Sequence, residues 1–522
     1  MKPDVVVVGG GPCGLLVALL LGRQGVQTVL IEKHAQVLDH PRAMGVMRRT
    51  NEIFMQLGLL DAVMQGGTRS SPDALSIWFR GAMTGEELGR ARMPDDDTQY
   101  SPCFKLHCPQ PHIEKVLRRA VLECPSVKCL FGYRLDSFEQ GPDGVRVSLT
   151  PSGQQADRPE PDPGVDTMHA RYMVAADGDR SAIRDALGIV RRGPGERGRF
   201  LSVYFQADLT QELQGRMGLL CNVVDSEMFE AFVAVDGQSH WLMHHFLDAQ
   251  AQHQEHTSDE MRAVIAQACG IEASRIQVLS MNPWVMSPSV APVWRKDRVF
   301  LVGDAAARVS PAGGLGMNNG LQSAHNLAWK LGHVVRGSAP DALLDSYEAE
   351  RLPAARFTFE NSEGNSSEVF RVVEAAMSGR WDEAREIVRH SRRAAPGYGQ
   401  DFGIVYESTA MIPDDTEPLI ASDVVNEYIA QARPGHRAPH FMIQVDDRTE
   451  SVLSLLDYRY TALLGPKAEF SQYKRLWPSA IQIADGRDFT ASSDWLDLYG
   501  ISEHGAVLVR PDGYVAAREA CR

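Results

Sequence analysis

The first apolar run of the chain, Val5-Val6-Val7-Val8, contains no polar position. A β-branched run without alternation predicts a strand covered on both faces, as in a parallel sheet. Residues 9–14, Gly-Gly-Gly-Pro-Cys-Gly, interrupt it, and residues 15–22 continue as an apolar helix. Residues 28–31 then read as a second strand, closing on Glu32. Two later segments repeat the strand–turn–helix pattern. In 170–189 an apolar strand ends at Asp177-Gly178, with Arg180, Ser181 and Arg184 at the head of a helix. In 299–331 strand 299–302 ends at Gly303-Asp304, and a Pro/Gly loop leads to a helix starting near Gly316-Met317-Asn318. Residues 190–285 carry several β-like runs, and 239–246 alternate faces, with His240 and His244 on one side and Trp241, Met243 and His245 on the other.

The N-terminal pattern carries chemistry. In G-x-G-x-x-G, Gly9 permits the tight turn, Gly11 lets a pyrophosphate approach the backbone, and Gly14 lets helix and strand pack closely. Pro12 and Cys13 stand in the turn before the helix, whose N-terminal N–H groups favour an anion. Glu32 stands where a carboxylate takes the hydroxyls of an adenosine ribose, and it disfavours a 2′-phosphate there. The segment predicts a dinucleotide site but leaves FAD and NAD(H) both open. Asp177 and Asp304, each at a strand's C-terminal end, suit a ribityl hydroxyl, and the helix opening at Gly316 suits negative charge on a reduced ring.

Composition narrows the class. At 522 residues, of which 44% are hydrophobic and 23% charged, the chain is globular. A prior of roughly 150 residues per domain suggests about three domains. With 53 basic and 67 acidic residues the net charge is −14, and no basic cluster invites nucleic acid. Residues 5–22 approach the length of a membrane span, but the glycines favour a turn, and only Lys2 precedes them. No membrane partner is expected. Eight scattered cysteines without a C-x-x-C pair predict neither zinc nor a disulfide framework, and the reducing cytoplasm is the expected location. His253, Glu255 and His256 have ligand-like spacing in a polar stretch, yet no metal is expected. Asp95-Asp96-Asp97 and residues 151–164 read as exposed loops.

Taken in order, GGGPCG, ADGDRSAIR and GDAA…PAGGLGMNNG…NLAWKL resemble the single-component FAD-dependent aromatic hydroxylases, the class A flavoprotein monooxygenases. HPRAMGVMRRTNEIFMQLGL at 40–59 looks like the family segment whose arginine, here Arg42, lies near flavin and nicotinamide. CPQPHIEKVLRRA at 108–120 looks like the segment whose glutamine, here Gln110, touches the flavin, and LLDSYEAERLP at 343–353 resembles the stretch after the flavin helix. The resemblance adds Lys33, Gly314, Gly316, Met317 and Asn318 to the cofactor contacts, and places Pro311 beside the reactive flavin carbon. It departs at Ala307, where the family usually has histidine, and at Ser310, where a first proline is common. Proton handling inherited from the family is therefore open.

The fold implied is α/β. A Rossmann-type (glutathione-reductase-like) FAD domain takes 1–75, 100–189 and 283–365, and an inserted, mainly β substrate domain takes 76–99 and 190–282. A helical linker covers 366–419. Its stretch 377–393 reads as a surface helix bridging to the C-terminal domain. Segments 433–443, 451–466 and 505–518 look like the thioredoxin-like domain of the phenol and polyketide hydroxylase branch, here 420–522 without C-x-x-C.

The activity implied uses bound FAD, transient NADPH or NADH, and dioxygen to hydroxylate a small aromatic substrate, phenolic or polycyclic, through a flavin hydroperoxide. NADPH is favoured, with Arg42, Arg48 and Arg49 as nearby positive charge. His244 is a candidate base, with a packed or solvated sheet histidine as the plainer alternative, and Tyr204 and Phe229 are candidate stacking residues. Baeyer–Villiger insertion or epoxidation on the same scaffold stays open. So do an NAD-dependent dehydrogenase and a flavin-binding protein without turnover. A homodimer is one admissible assembly.

Overall fold

The structure, a computed structural model, describes residues 2–69, 75–92, 98–153, 167–237, 239–247, 256–392 and 396–520. Its first core surrounds a six-stranded sheet in the order Arg295–Lys296, Val299–Leu301, Tyr172–Ala175, Val5–Val8, Thr28–Glu32, Val127–Phe131. All neighbours run parallel except the Arg295–Lys296 edge. Val5, Val6 and Val7 are completely buried, as a strand covered on both faces requires. Helix Pro12–Arg23 packs between helices Gln110–Leu122 and Gly316–Val335. The strand ends carrying Gly9, Asp177 and Gly303 therefore come together at one end of the sheet.

A seven-stranded sheet stands over that end. Its order is Gln277–Met286, Gly198–Gln206, His240–Leu247, Phe229–Ala234, Leu220–Val224, Ser76–Arg80, Glu86–Ala91. Alternation sorts its side chains. Leu201, Val203, Phe205, Trp241 and Met243 pack with helix Ser258–Cys269 on one face. Phe200, Ser202 and His244 point to the other face, toward a large cavity. Strand Gln277–Met286 runs through position 282, so the expected division at 282/283 falls inside a strand.

Two expectations for 366–419 are corrected. Residues 366–377 continue the helix Asp345–Met377, so no break occurs at 365/366. Beyond Phe402 the segment is irregular, so the helical linker is only partly helical. Helix Trp381–Arg389 does not bridge to the C-terminal sheet. Its apolar face, Ala384 and Val388, packs on Trp78, Leu88 and Val224 of the seven-stranded sheet.

The C-terminal sheet orders Ile481–Ala484, Thr461–Leu464, Ala506–Val509, Val515–Glu519. The Pro-Asp-Gly turn at 511–513 is buried rather than displayed. Arg510 pairs with Glu350 at 2.8 Å, and Lys330 joins Glu350 at 2.7 Å. These side chains have no solvent exposure, and losing one partner would leave a buried charge, at about 3–5 kcal/mol. Arginine and lysine together hold the Glu350 carboxyl well below the usual carboxylate range against its burial. Among the described residues no helix is long and apolar enough to cross a membrane.

Candidate active site

One cavity of about 1190 Å³ joins the end of the six-stranded sheet to the underside of the seven-stranded one. Single-ligand pockets run to ~1,000 Å³, so this one can take a dinucleotide and a second ligand together.

Its floor is the glycine turn. Gly9 has φ +108°, and a Cβ there would stand 2.2 Å from the Ala176 carbonyl oxygen. Gly11 faces open space, as a backbone met by a phosphate must. A Cβ at Gly14 would meet the Gly9 oxygen at 1.9 Å, so Gly14 packs under the turn and does not line the cavity. Neither helix Pro12–Arg23 nor helix Gly316–Val335 has a side-chain cap at its N-terminus. Their first N–H groups are left for a ligand. Glu32 accepts from the backbone of Gly10 at 2.6 Å and of His34 at 2.8 Å, which fixes the carboxylate at the rim of the turn. Burial keeps the Cys13 thiol protonated.

Most of the expected contacts line this cavity: Gly9, Gly11, Pro12, Cys13, Glu32 and Lys33 at one end, then Arg42, Gln110, Asp177, Asp304, Pro311, Gly314, Gly316 and Met317. Asp177 Oδ2 accepts from Ile183 at 3.3 Å, while buried Oδ1 has no partner among the described residues. An unpartnered buried acceptor at the cavity wall suits a hydroxyl donor. Burial raises the pKa of both Asp177 and Asp304. Gln110 donates to Glu114 at 2.7 Å. These residues fit FAD: a phosphate cradle, a ribose carboxylate, two acids for hydroxyls and a helix N-terminus in a row.

Three expected roles are corrected. Asn318 does not line the cavity. Its amide donates to the carbonyls of Gly45 and Gly314, both at 2.8 Å, and accepts from Met47, so it staples the loop before its helix. Arg48 is buried against Asp401 at 2.9 Å, and Arg49 against Glu52 at 2.8 Å. Neither is available to a nicotinamide, whereas Arg42 and Arg180 are exposed on the cavity wall. Ala307 is buried on a short strand paired with Val290, and Ser310 hydrogen-bonds Ser366 of the long helix. The serine thus ties the loop before Pro311 to helix Asp345–Met377.

His244 faces the cavity, its Nδ1 2.9 Å from the Ser202 hydroxyl. Burial, then the nearby His40, lowers its pKa to about 4. It is therefore neutral at physiological pH, as a proton acceptor must be. His240 is engaged by Asp236 at 2.6 Å, away from the cavity. Phe229 lines the cavity and stacks on Trp78, whereas Tyr204 does not line it and contacts His40 edge-on at 6.3 Å. Sequence reading missed Phe200 and Trp284, stacked at 4.7 Å, along with Asn222, Asn282 and His40. Their signal was the period of two, but only the assembled sheet shows which face meets the cavity. His253, Glu255 and Asp95–97 lie outside the described residues, as does most of 151–164.

The FAD binding domain model matches residues 2–362, and the aromatic-ring hydroxylase C-terminal model matches 431–522. The chain belongs to the FAD-dependent aromatic-ring hydroxylases, flavoprotein monooxygenases that use NAD(P)H and dioxygen. Among its relatives, tetracenomycin A2 monooxygenase-dioxygenase of Streptomyces glaucescens is 31% identical, covering 98% of this chain and 93% of its own. The 4-methyl-5-nitrocatechol 5-monooxygenase of Burkholderia sp is 29% identical over 99% of this chain and 94% of its own. The crystal structure of the flavin-dependent monooxygenase PieE with FAD and substrate matches with TM-score 0.89 at 28% identity, covering 100% of this chain and 96% of that one.

Proposed function

We propose that this hydroxylase acts on a fused-ring phenol or quinone bound between the Pro311 loop and the seven-stranded sheet. The observation that carries this reading is one continuous cavity, lined by the glycine cradle at one end and by an aromatic roof at the other. A relative named for a tetracenomycin supports a polycyclic substrate, and one named for a nitrocatechol marks the single-ring alternative.

In this reading FAD is held by the cradle at Gly9, Gly11, Pro12 and Cys13, by Glu32 and Lys33, and by Asp177 and Asp304. Gln110, Gly314, Gly316 and Met317 frame its ring. FAD supplies reduction by NAD(P)H and activation of dioxygen when bound. The chain's residues do the rest. Phe200, Trp284 and Phe229 hold the substrate ring and exclude water, which protects reactive species from decay. His244 Nε2 takes the phenolic proton, and the Ser202 hydroxyl holds the imidazole in line. Pro311 and the following glycines bring the backbone close without bulky side chains. Arg42 and Arg180 offer NADPH a cationic approach.

The parallel sheet whose first strand runs into G-x-G-x-x-G supports a Rossmann-type FAD domain from 1–75, 100–189 and 287–365, its last helix extended to Met377. The seven-stranded sheet supports an inserted substrate domain from 76–99 and 190–286. The C-terminal four-stranded sheet with helices Phe470–Leu476 and Asp494–Tyr499 supports a thioredoxin-like domain within 420–522.

The test is substrate-stimulated NADPH oxidation in air over single-ring and fused-ring phenols, with product mass. Stimulation by a fused ring, with gain of one oxygen atom, is the expected result. Stimulation by single rings alone, or yield of hydrogen peroxide alone across the panel, overturns it.

A further inference from the structure

The cavity roof is striped. One cross-strand row runs Asn282, Ser202, His244, Ala231, Asn222, each residue opposite the next in register on neighbouring strands. All five line the cavity. Two positions along the strands lie Trp284 and Phe200, and on the other side Val233 and Leu220. A polar row therefore crosses the roof between an aromatic stripe and an aliphatic one.

The polar row is undersatisfied by the protein itself. Asn222 is buried, and its amide nitrogen donates to Ser76 at 3.1 Å. Its Oδ1 receives nothing from the described residues, which leaves an acceptor for a hydroxyl. The Asn282 side chain is exposed to the cavity and makes no hydrogen bond among the described residues. His244 spends Nδ1 on Ser202 and keeps Nε2. These free polar atoms face the cavity, where the oxygens of a ligand can complete them. The polar atoms thus point to a ligand bearing several oxygens.

Spacing sets the ligand's length. Neighbouring strands are ~4.8 Å apart, so Asn222 and His244 stand about 10 Å apart at the backbone and Asn222 and Asn282 about 19 Å. Ala231 leaves a gap between His244 and Asn222 with only a methyl group in it. A single phenol ring can engage one end of such a row. A linear system of four rings, with oxygens at the outermost positions of one edge, reaches toward both asparagine side chains while its rings run along the aromatic stripe.

We infer that Asn222 and Asn282 are specificity-determining residues that read the oxygen pattern of a fused-ring substrate to either side of His244, and so fix which carbon faces the Pro311 loop. This rests on the fused-ring reading of the substrate. Removing either end loosens the ligand's position along the row.

The test is binding to the oxidised holoenzyme, followed by the perturbation of flavin absorbance. The probes are a linear four-ring quinone bearing one hydroxyl on each outermost ring of the same edge, its monohydroxy analogue and a single-ring hydroquinone. Wild type, Asn222→Ala and Asn282→Ala are compared, with flavin occupancy reporting the fold. The dihydroxy probe should weaken about tenfold in each variant, and the preference over the monohydroxy probe should collapse in both. Hydroquinone should weaken in at most one of them. Should Asn222→Ala lose its flavin, the exposed Asn282 still decides the matter. If wild type binds the fused rings and the variants keep the preference, this inference alone falls. If wild type binds only hydroquinone, the substrate reading falls with it.

Discussion

The two ends of the cavity are built in different ways. The cradle is backbone: a turn at Gly9, an open approach at Gly11, a close packing at Gly14, and a carboxylate held by main-chain N–H groups, all within residues 9–34. The roof is side chains: a row contributed by five strands between Asn222 and Asn282 and aligned only by their pairing. A cofactor used for one chemistry is met by geometry that few residue types tolerate. A substrate is met by side chains that can change while the strands stay put. Function at the first end is fragile to small substitutions, and at the second it is tunable.

The largest effect should come from breaking the cradle. Gly9→Val adds a β-branched side chain at φ +108° with its Cβ 2.2 Å from the Ala176 oxygen. Backbone strain of ~1–3 kcal/mol is compounded by a clash with main chain that cannot move aside. The variant should lose its flavin and fall in Tm, as absorbance and thermal unfolding would show. Full occupancy would mean that the turn does not hold the cofactor.

At the roof, His244→Gln keeps the size of the side chain and a partner for Ser202 but removes the base. Turnover should fall by about 10²–10⁴-fold with flavin occupancy unchanged. The pH profile sharpens the test. A group at about 4 is already neutral above pH 5, so the acid limb of kcat/KM should lie near 4 and vanish in the variant. A limb near the ordinary imidazole value would place the base elsewhere. Stability has the same sign. Between pH 6.5 and 4 the unfolded chain takes protons that folded His40 and His244 refuse, so stability should drop as the pH is lowered through that window.

The contrast also explains what the sequence made legible. Gly9, Gly11, Glu32, Asp177 and Asp304 stand at fixed offsets from strand ends, so a local pattern names them. Phe200, Ser202 and Asn222 belong to strands whose alternation is plain, yet alternation does not say which face meets a ligand. The expectation for Asn318 failed because its neighbours Gly45 and Met47 come from a segment some 270 residues away. Arg48 and Arg49 misled for the same reason. Arg48 pairs with Asp401, and Arg49, beside its neighbour Glu52, donates to the carbonyl of Asp512; these contacts in the C-terminal third leave no local trace.

A smaller effect should follow from Asp304→Ala. The proposed hydrogen bonds to a charged group carry about 1.5–3 kcal/mol, so the dissociation constant for FAD should rise roughly ten- to hundredfold. Titration of the apoprotein with FAD measures this. Substrate affinity of the fully loaded variant should move much less, and an equal fall in both would erase the distinction between the two ends.

The smallest effect probes where the ends touch. His40 sits on the loop that follows the cradle's second strand, and its Nδ1 lies 2.7 Å from the Ser280 hydroxyl of the roof. Ser280→Ala removes that contact without altering either site's own residues. A neutral hydrogen bond contributes about 1 kcal/mol, so the loss should loosen the roof over the floor without unfolding either. The expected result is a rise of roughly two- to fivefold in the share of NADPH electrons released as hydrogen peroxide, with FAD retention unchanged. Peroxide would report water reaching a space that the roof closes. If FAD retention falls instead, the floor depends on the roof, and cradle and roof must be treated as one cooperative site.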